Sequence, residues 1–299
     1  MGIQTATYAE AYEELSSAIE WMVSLGLNPY RGRIGEYLKD LGHWKDNYQT
    51  TPDDEIRRRF AGFINTIQDA DDLVSVYRKF RSIPLTELGS IHEKLSKTLN
   101  GPVKRQDEQP RSTVARNFLF EALVAARMHH PNRGIRALFN AKTDTGFRVG
   151  NTRVWVECKR ITSLDKLEAN IRDASKQLER AFKKSPSSAQ RGLVAIDVSK
   201  LLNDGSKILV KPTEDALCSE IGLYTETFIK EHRQEWEKVY RTRDKRIMGT
   251  LIRLSTMASI EERNLPTVAT EWTVNPRDHL PKGDHDFLQN LASVLNSSG

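Results

Sequence analysis

One stretch constrains this chain more than any other: residues 144–160, DTGFRVGNTRVWVECKR. Within it, residues 152–158 are rich in β-branched and aromatic types and hold neither Gly nor Pro, which is the composition of a strand. Gly150-Asn151, just upstream, suits a two-residue hairpin loop because both residues tolerate positive φ. A loop there fixes the register, with Val149 facing Thr152, Phe147 facing Val154 and Asp144 facing Glu157. Directly opposed residues have Cβ atoms about 4.5–5.5 Å apart, and like charges there destabilise a sheet unless something neutralises them. A divalent cation does so. Period-two alternation also places Glu157 and Lys159 on one face and Val154, Val156 and Cys158 on the other, apolar face.

Two carboxylates and a lysine converging at a strand end form a set for metal-assisted phosphodiester hydrolysis. Hard oxygen ligands completed by waters suit Mg²⁺ or Mn²⁺ rather than zinc. Such an ion polarises a phosphate oxygen and lowers the pKa of its bound water. A neighbouring lysine adds positive charge for the developing transition state and positions the attacking water. Glu157-Cys158-Lys159 is the only acid-x-Lys triplet in the chain.

Asp144, twelve intervening residues and then Glu157-Cys158-Lys159 resembles the signature of the PD-(D/E)XK nuclease superfamily, over roughly residues 112–199. The resemblance implies an α/β fold, a restriction-endonuclease-like mixed sheet flanked by helices. Its order is a glutamate-bearing helix, the hairpin, a second helix and a strand. The chain offers each in turn: a helical pattern over 111–130 containing Glu121, another over 164–184, and the apolar run GLVAIDV at 192–198. By the resemblance Asp144 and Glu157 are metal ligands, joined by the Cys158 backbone carbonyl and assisted by Glu121. Lys159 is the catalytic lysine, and Gln177 matches a position where some members carry a functional glutamine. Thr143 stands where the pattern has proline. The activity implied is a Mg²⁺- or Mn²⁺-dependent nuclease, foremost a DNA endonuclease. The alternative is a catalytically inactive module of the same fold that binds nucleic acid or assembles with a partner nuclease.

The 299 residues have room for one large domain or for two ordinary ones, each with its own core. Charge divides them unevenly. Residues 1–108 hold 14 Lys and Arg against 17 Asp and Glu, a net −3, whereas 109–299 hold 31 against 23, a net +8. The basic half is the half with the hairpin, as expected if it meets a polyanion. Arg172, Lys176 and Arg180 recur every four residues along the second helix, and with Arg160 they are the candidate phosphate contacts.

Helical patterns over 8–25, 34–41, from 52 onward, 71–81 and 89–99 make residues 1–108 an all-α N-terminal domain, expected to serve interaction, targeting or homodimerisation. Residues 100–112, polar and carrying two prolines, read as the linker to a nuclease-like domain at 109–299. Beyond 198 the patterns give a helix at 225–240, strands at 247–254 and 267–274, and a last helix from 286. No run reaches the 18 apolar residues of a membrane span, and the first residues lack a basic start and an apolar core, so a cytoplasmic location without membrane contact is expected. Cys158 and Cys218 form no disulfide framework and no zinc spacing. Walker A, GxSxG, GxGxxG and HExxH patterns are all absent from the sequence.

Overall fold

The first helix follows from its cap. Thr7 accepts from the Glu10 amide at 3.2 Å while the Glu10 carboxylate accepts from the Thr7 amide at 2.8 Å, a capping box that starts α1 (Tyr8–Ser24). α2 (Arg33–Asn47) follows, and α3 (Asp53–Phe80) opens on three acids and closes on Arg78 and Lys79, both favoured by the helix dipole. α4 (Leu85–Leu88) and α5 (Ser90–Thr98) meet at Gly89, whose φ of 48° favours glycine. α6 (Val114–Arg127) then leads into the sheet region. This computed structural model describes residues 2–109, 112–184, 187–203, 205, 207–263 and 266–296.

The strands are β1 (Gly2–Thr5), β2 (Ile135–Ala137), β3 (Thr145–Val149), β4 (Thr152–Arg160), β5 (Gln190–Asp197), β6 (Leu209–Lys211), β7 (Ile247–Ile260) and β8 (Pro266–Pro276). They form one mixed sheet in the order β1-β8-β7-β5-β4-β3-β2, with β6 extending the β5 side of β7. β4, β5 and β7 run parallel, and α7 (Leu167–Lys184) supplies the β4-to-β5 crossover that parallel strands need. α8 (Ser199–Leu202), α9 (Glu214–Glu231) and α10 (Arg233–Tyr240) occupy the path to β7, and α11 (Lys282–Asn296) follows β8.

Two apolar layers sandwich the sheet. On one face Phe147, Val154, Val156 and Leu251 pack with α1, α2, α3, α5, α6 and α11; on the other Trp155, Val194, Ile196 and Ile252 pack with α7, α9 and α10. The chain is thus a mixed α/β protein whose mixed sheet is flanked by helices. The segments 1–108 and 109–299 share the first of these cores, and β1 pairs with β8 as an edge of the sheet.

Two expectations change. The helices expected from 52 and at 71–81 are one, α3, because Asp69 and Asp72, which interrupt the apolar pattern, are buried against arginines. Asp69 accepts from Arg33 at 3.2 Å, Arg105 at 2.9 Å, Arg116 at 2.7 Å and the Tyr37 hydroxyl at 2.6 Å. The stretch expected as a linker is anchored: Arg105 is buried on Asp69, and Glu108 pairs with Arg116, Arg160 and Lys200. Arg253 of β7 ties the layers together, pairing with Asp197 of β5 at 3.0 Å and with Asp72 of α3.

Candidate active site

The hairpin adopts the register expected from its loop. Gly150 has a φ of 54°, and Thr145, Phe147 and Val149 pair with Val156, Val154 and Thr152. Asp144, just before β3, therefore lies one step beyond the Thr145–Val156 pair, beside Glu157. Its carboxylate caps the pairing, accepting from the Cys158 backbone amide at 2.8 Å. Helices bracket this end of the hairpin, α6 packing on β3 and β4 and α7 on β4.

Five ionisable groups gather there. Glu157 is 4% exposed, and its Oε2 is buried without a hydrogen-bond partner. Burial first, and the Asp144 charge second, push its carboxyl up to about 8, opposed by Lys159. Glu121 on α6 is also pushed up, to about 7, by burial and then by Asp144. Lys159 is half-buried and donates to the Gln177 Oε1 of α7 at 2.9 Å, so these two expected site residues do meet. The fifth group, Lys94 on α5, ion-pairs with Glu121. Lys94 lies within the first 108 residues, where the sequence shows no catalytic cluster.

Cys158 is buried, and desolvation pushes its thiol well up, so its side chain belongs to the core. Of the expected phosphate contacts, Lys176 and Arg180 are exposed on α7, while Arg172 is half-buried and ion-paired with Glu168. Lys176 lies 3.8 Å from Asp173. Arg160 departs from expectation. Its guanidinium donates twice to Glu108, at 2.9 and 3.1 Å, and its side chain is only 7% exposed, leaving it no free face for a phosphate. The alternation that groups Glu157 with Lys159 sends Arg160 to the opposite face.

Among the described residues no three or more His, Cys, Asp and Glu side chains form a ready metal-chelating group. A hard divalent ion needs fewer, since Mg²⁺ is held by one or two carboxylates and keeps several waters. The unpartnered Glu157 oxygen beside Asp144 fits that demand. No helix among the described residues is long and apolar enough to cross a membrane. No protein-family model, curated protein or solved structure matches this chain.

Proposed function

We propose that this chain is a Mg²⁺- or Mn²⁺-dependent nuclease acting on DNA, built on a restriction-endonuclease-like arrangement of α6, β3, β4, α7 and β5. The observation that carries the reading is the opposed Asp144–Glu157 pair, with a buried carboxylate oxygen left without a partner and Lys159 on the Glu157 face. A buried carboxylate beside a second one is costly unless the two share a proton or a cation. Asp144 and Glu157 would hold the ion, with the Cys158 carbonyl as a further oxygen donor. When bound, the ion polarises a phosphate oxygen and acidifies a water.

The remaining work falls to the chain's own side chains. Gln177 holds the Lys159 ammonium, which positions the attacking water and offsets charge developing on the phosphate. Glu121, held by Lys94, adds a carboxylate beside the pair that orders water around it. Lys176 and Arg180, exposed on the helix that carries Gln177, face solvent where a phosphate backbone can reach them. The test is Lys159→Ala. DNA cleavage disappears while the thermal transition and DNA affinity stay close to wild type; cleavage at the wild-type rate contradicts the assignment.

A further inference from the structure

The opposite end of the same hairpin carries a different chemistry. Arg136 of β2 is registered with Arg148 of β3, and Arg148 with Arg153 of β4, so three arginines stand in one row across three adjacent strands. Registered partners share a sheet face, and neighbouring strands lie ~4.8 Å apart, so the row spans only about 10 Å. All three side chains are exposed, and among the described residues none has a carboxylate or other side-chain partner.

Like charges directly opposite one another destabilise a sheet. A single charge on β2 is accounted for as protection of an edge strand. That reason does not extend to β3 and β4, which are paired on both sides. The row is therefore unfavourable to the free fold and becomes favourable once an anion neutralises it. A cavity of about 310 Å³ adjoins it, lined by Arg148, Asn151, Arg153, Ser187, Ala189 and Gln190, with no carboxylate among them. Arg172 on α7, by contrast, already has its own acid.

We infer that Arg136, Arg148 and Arg153 form a docking strip for the phosphodiester backbone of nucleic acid. A regular row of guanidinium groups suits an extended polyanion better than one small ion, and each planar fork matches a phosphate. The exposed neighbours Asn151, Ser187 and Ser188 are polar, which suits a hydrated backbone rather than a lipid surface. Glu157 lies four positions along β4 from Arg153, about 13 Å of strand, close to the rise of four nucleotides in one strand of a duplex. The strip thus grips nucleic acid to one side of the carboxylate pair. The inference rests on the nucleic-acid part of the function proposed above and not on hydrolysis.

The experiment is fluorescence anisotropy of labelled duplex DNA in EDTA, where nothing is cut, across about 50 to 200 mM salt. It compares the full-length wild type, Arg148→Gln, and the triple variant Arg136→Gln, Arg148→Gln, Arg153→Gln. Each phosphate contact contributes about 0.9 to the slope of log affinity against log salt, so the slope falls by about 1 in the single variant and by 2–3 in the triple. The triple variant also melts at or above the wild-type temperature, since removing mutual repulsion costs the fold nothing. Wild-type affinity and slope in the triple variant overturn the inference, as does a wild type that binds no duplex. If the wild type cuts DNA and the triple variant keeps full affinity, the strip fails alone. If the triple variant loses binding but no metal supports cutting by the wild type, hydrolysis fails alone.

Discussion

Lys94 of α5 donates to the Glu121 carboxylate of α6 in an ion pair whose side chains are only 9% and 11% exposed. A helix assigned from sequence to a separate N-terminal domain thereby reaches the candidate catalytic centre. The contact is reinforced by Phe118, whose ring lies 5.7 Å from the Lys94 ammonium and 4.5 Å from that of Lys97.

Removing one partner of a buried ion pair leaves the other uncompensated, at a cost of about 3–5 kcal/mol, whereas removing both costs much less. Lys94→Met is therefore expected to be strongly destabilised, and the double variant Lys94→Met, Glu121→Gln less so. A double-mutant cycle by urea denaturation should give a coupling of about 1–3 kcal/mol. Additive effects of the two substitutions would mean that the pair does not exist in solution.

Asp69 makes the strongest stability prediction. Burial alone would raise its carboxyl pKa, but Arg116, Arg105 and Arg33 together hold it well below the usual carboxylate range. The folded state thus keeps Asp69 ionised where the unfolded chain takes up a proton. Its contribution is present above the ordinary carboxylate pKa of about 4 and is lost as pH falls further. Asp69→Asn should cost about 3–5 kcal/mol at pH 7, since three buried arginines lose their common partner. Melting curves from pH 5 down to pH 2 should show a flatter acid limb in the variant than in the wild type.

Glu157 carries the opposite sign. Its carboxyl, raised to about 8, binds a proton in the folded metal-free protein that the unfolded chain releases near the ordinary value. This stability is present below the unfolded pKa and is lost as pH rises through about 8. In EDTA the melting temperature should therefore fall between pH 6 and pH 9, and Glu157→Gln should flatten that limb. Metal binding requires the ionised form, so Mg²⁺ affinity should rise over the same range. Calorimetry in buffers of different ionisation enthalpy should record proton release on binding at pH 7. Mg²⁺ binding that is independent of pH, with no proton released, would separate Glu157 from the metal.

The hairpin was legible in the sequence because its information is local. Gly150-Asn151 sets the loop, the loop sets the register, and the register brings Asp144 opposite Glu157. Apolar runs mark β7 and β8, though over fewer residues than the strands span, and amphipathic spacing marks α7. What was missed lies in buried charge, to which apolar periodicity is blind. Asp69 and Asp72 look like a break in a helix, and Arg105 and Glu108 like a solvated linker, until their partners on distant elements are known. β1 and β2, four and three residues long, hold too few residues for a pattern and owe their strand form to the neighbours they pair with. Lys94 carries no local signal, because only the packing of α5 against α6 brings it to Glu121.

The most direct test is cleavage of supercoiled plasmid, linear duplex, single-stranded DNA and RNA in Mg²⁺, Mn²⁺ or EDTA by the wild type and by Asp144→Ala. The account predicts cutting of DNA that requires the metal, stops in EDTA and is absent in the variant. Cutting that persists in Asp144→Ala, or a wild type that binds DNA identically with and without Mg²⁺ and cuts none of the four substrates, would contradict it.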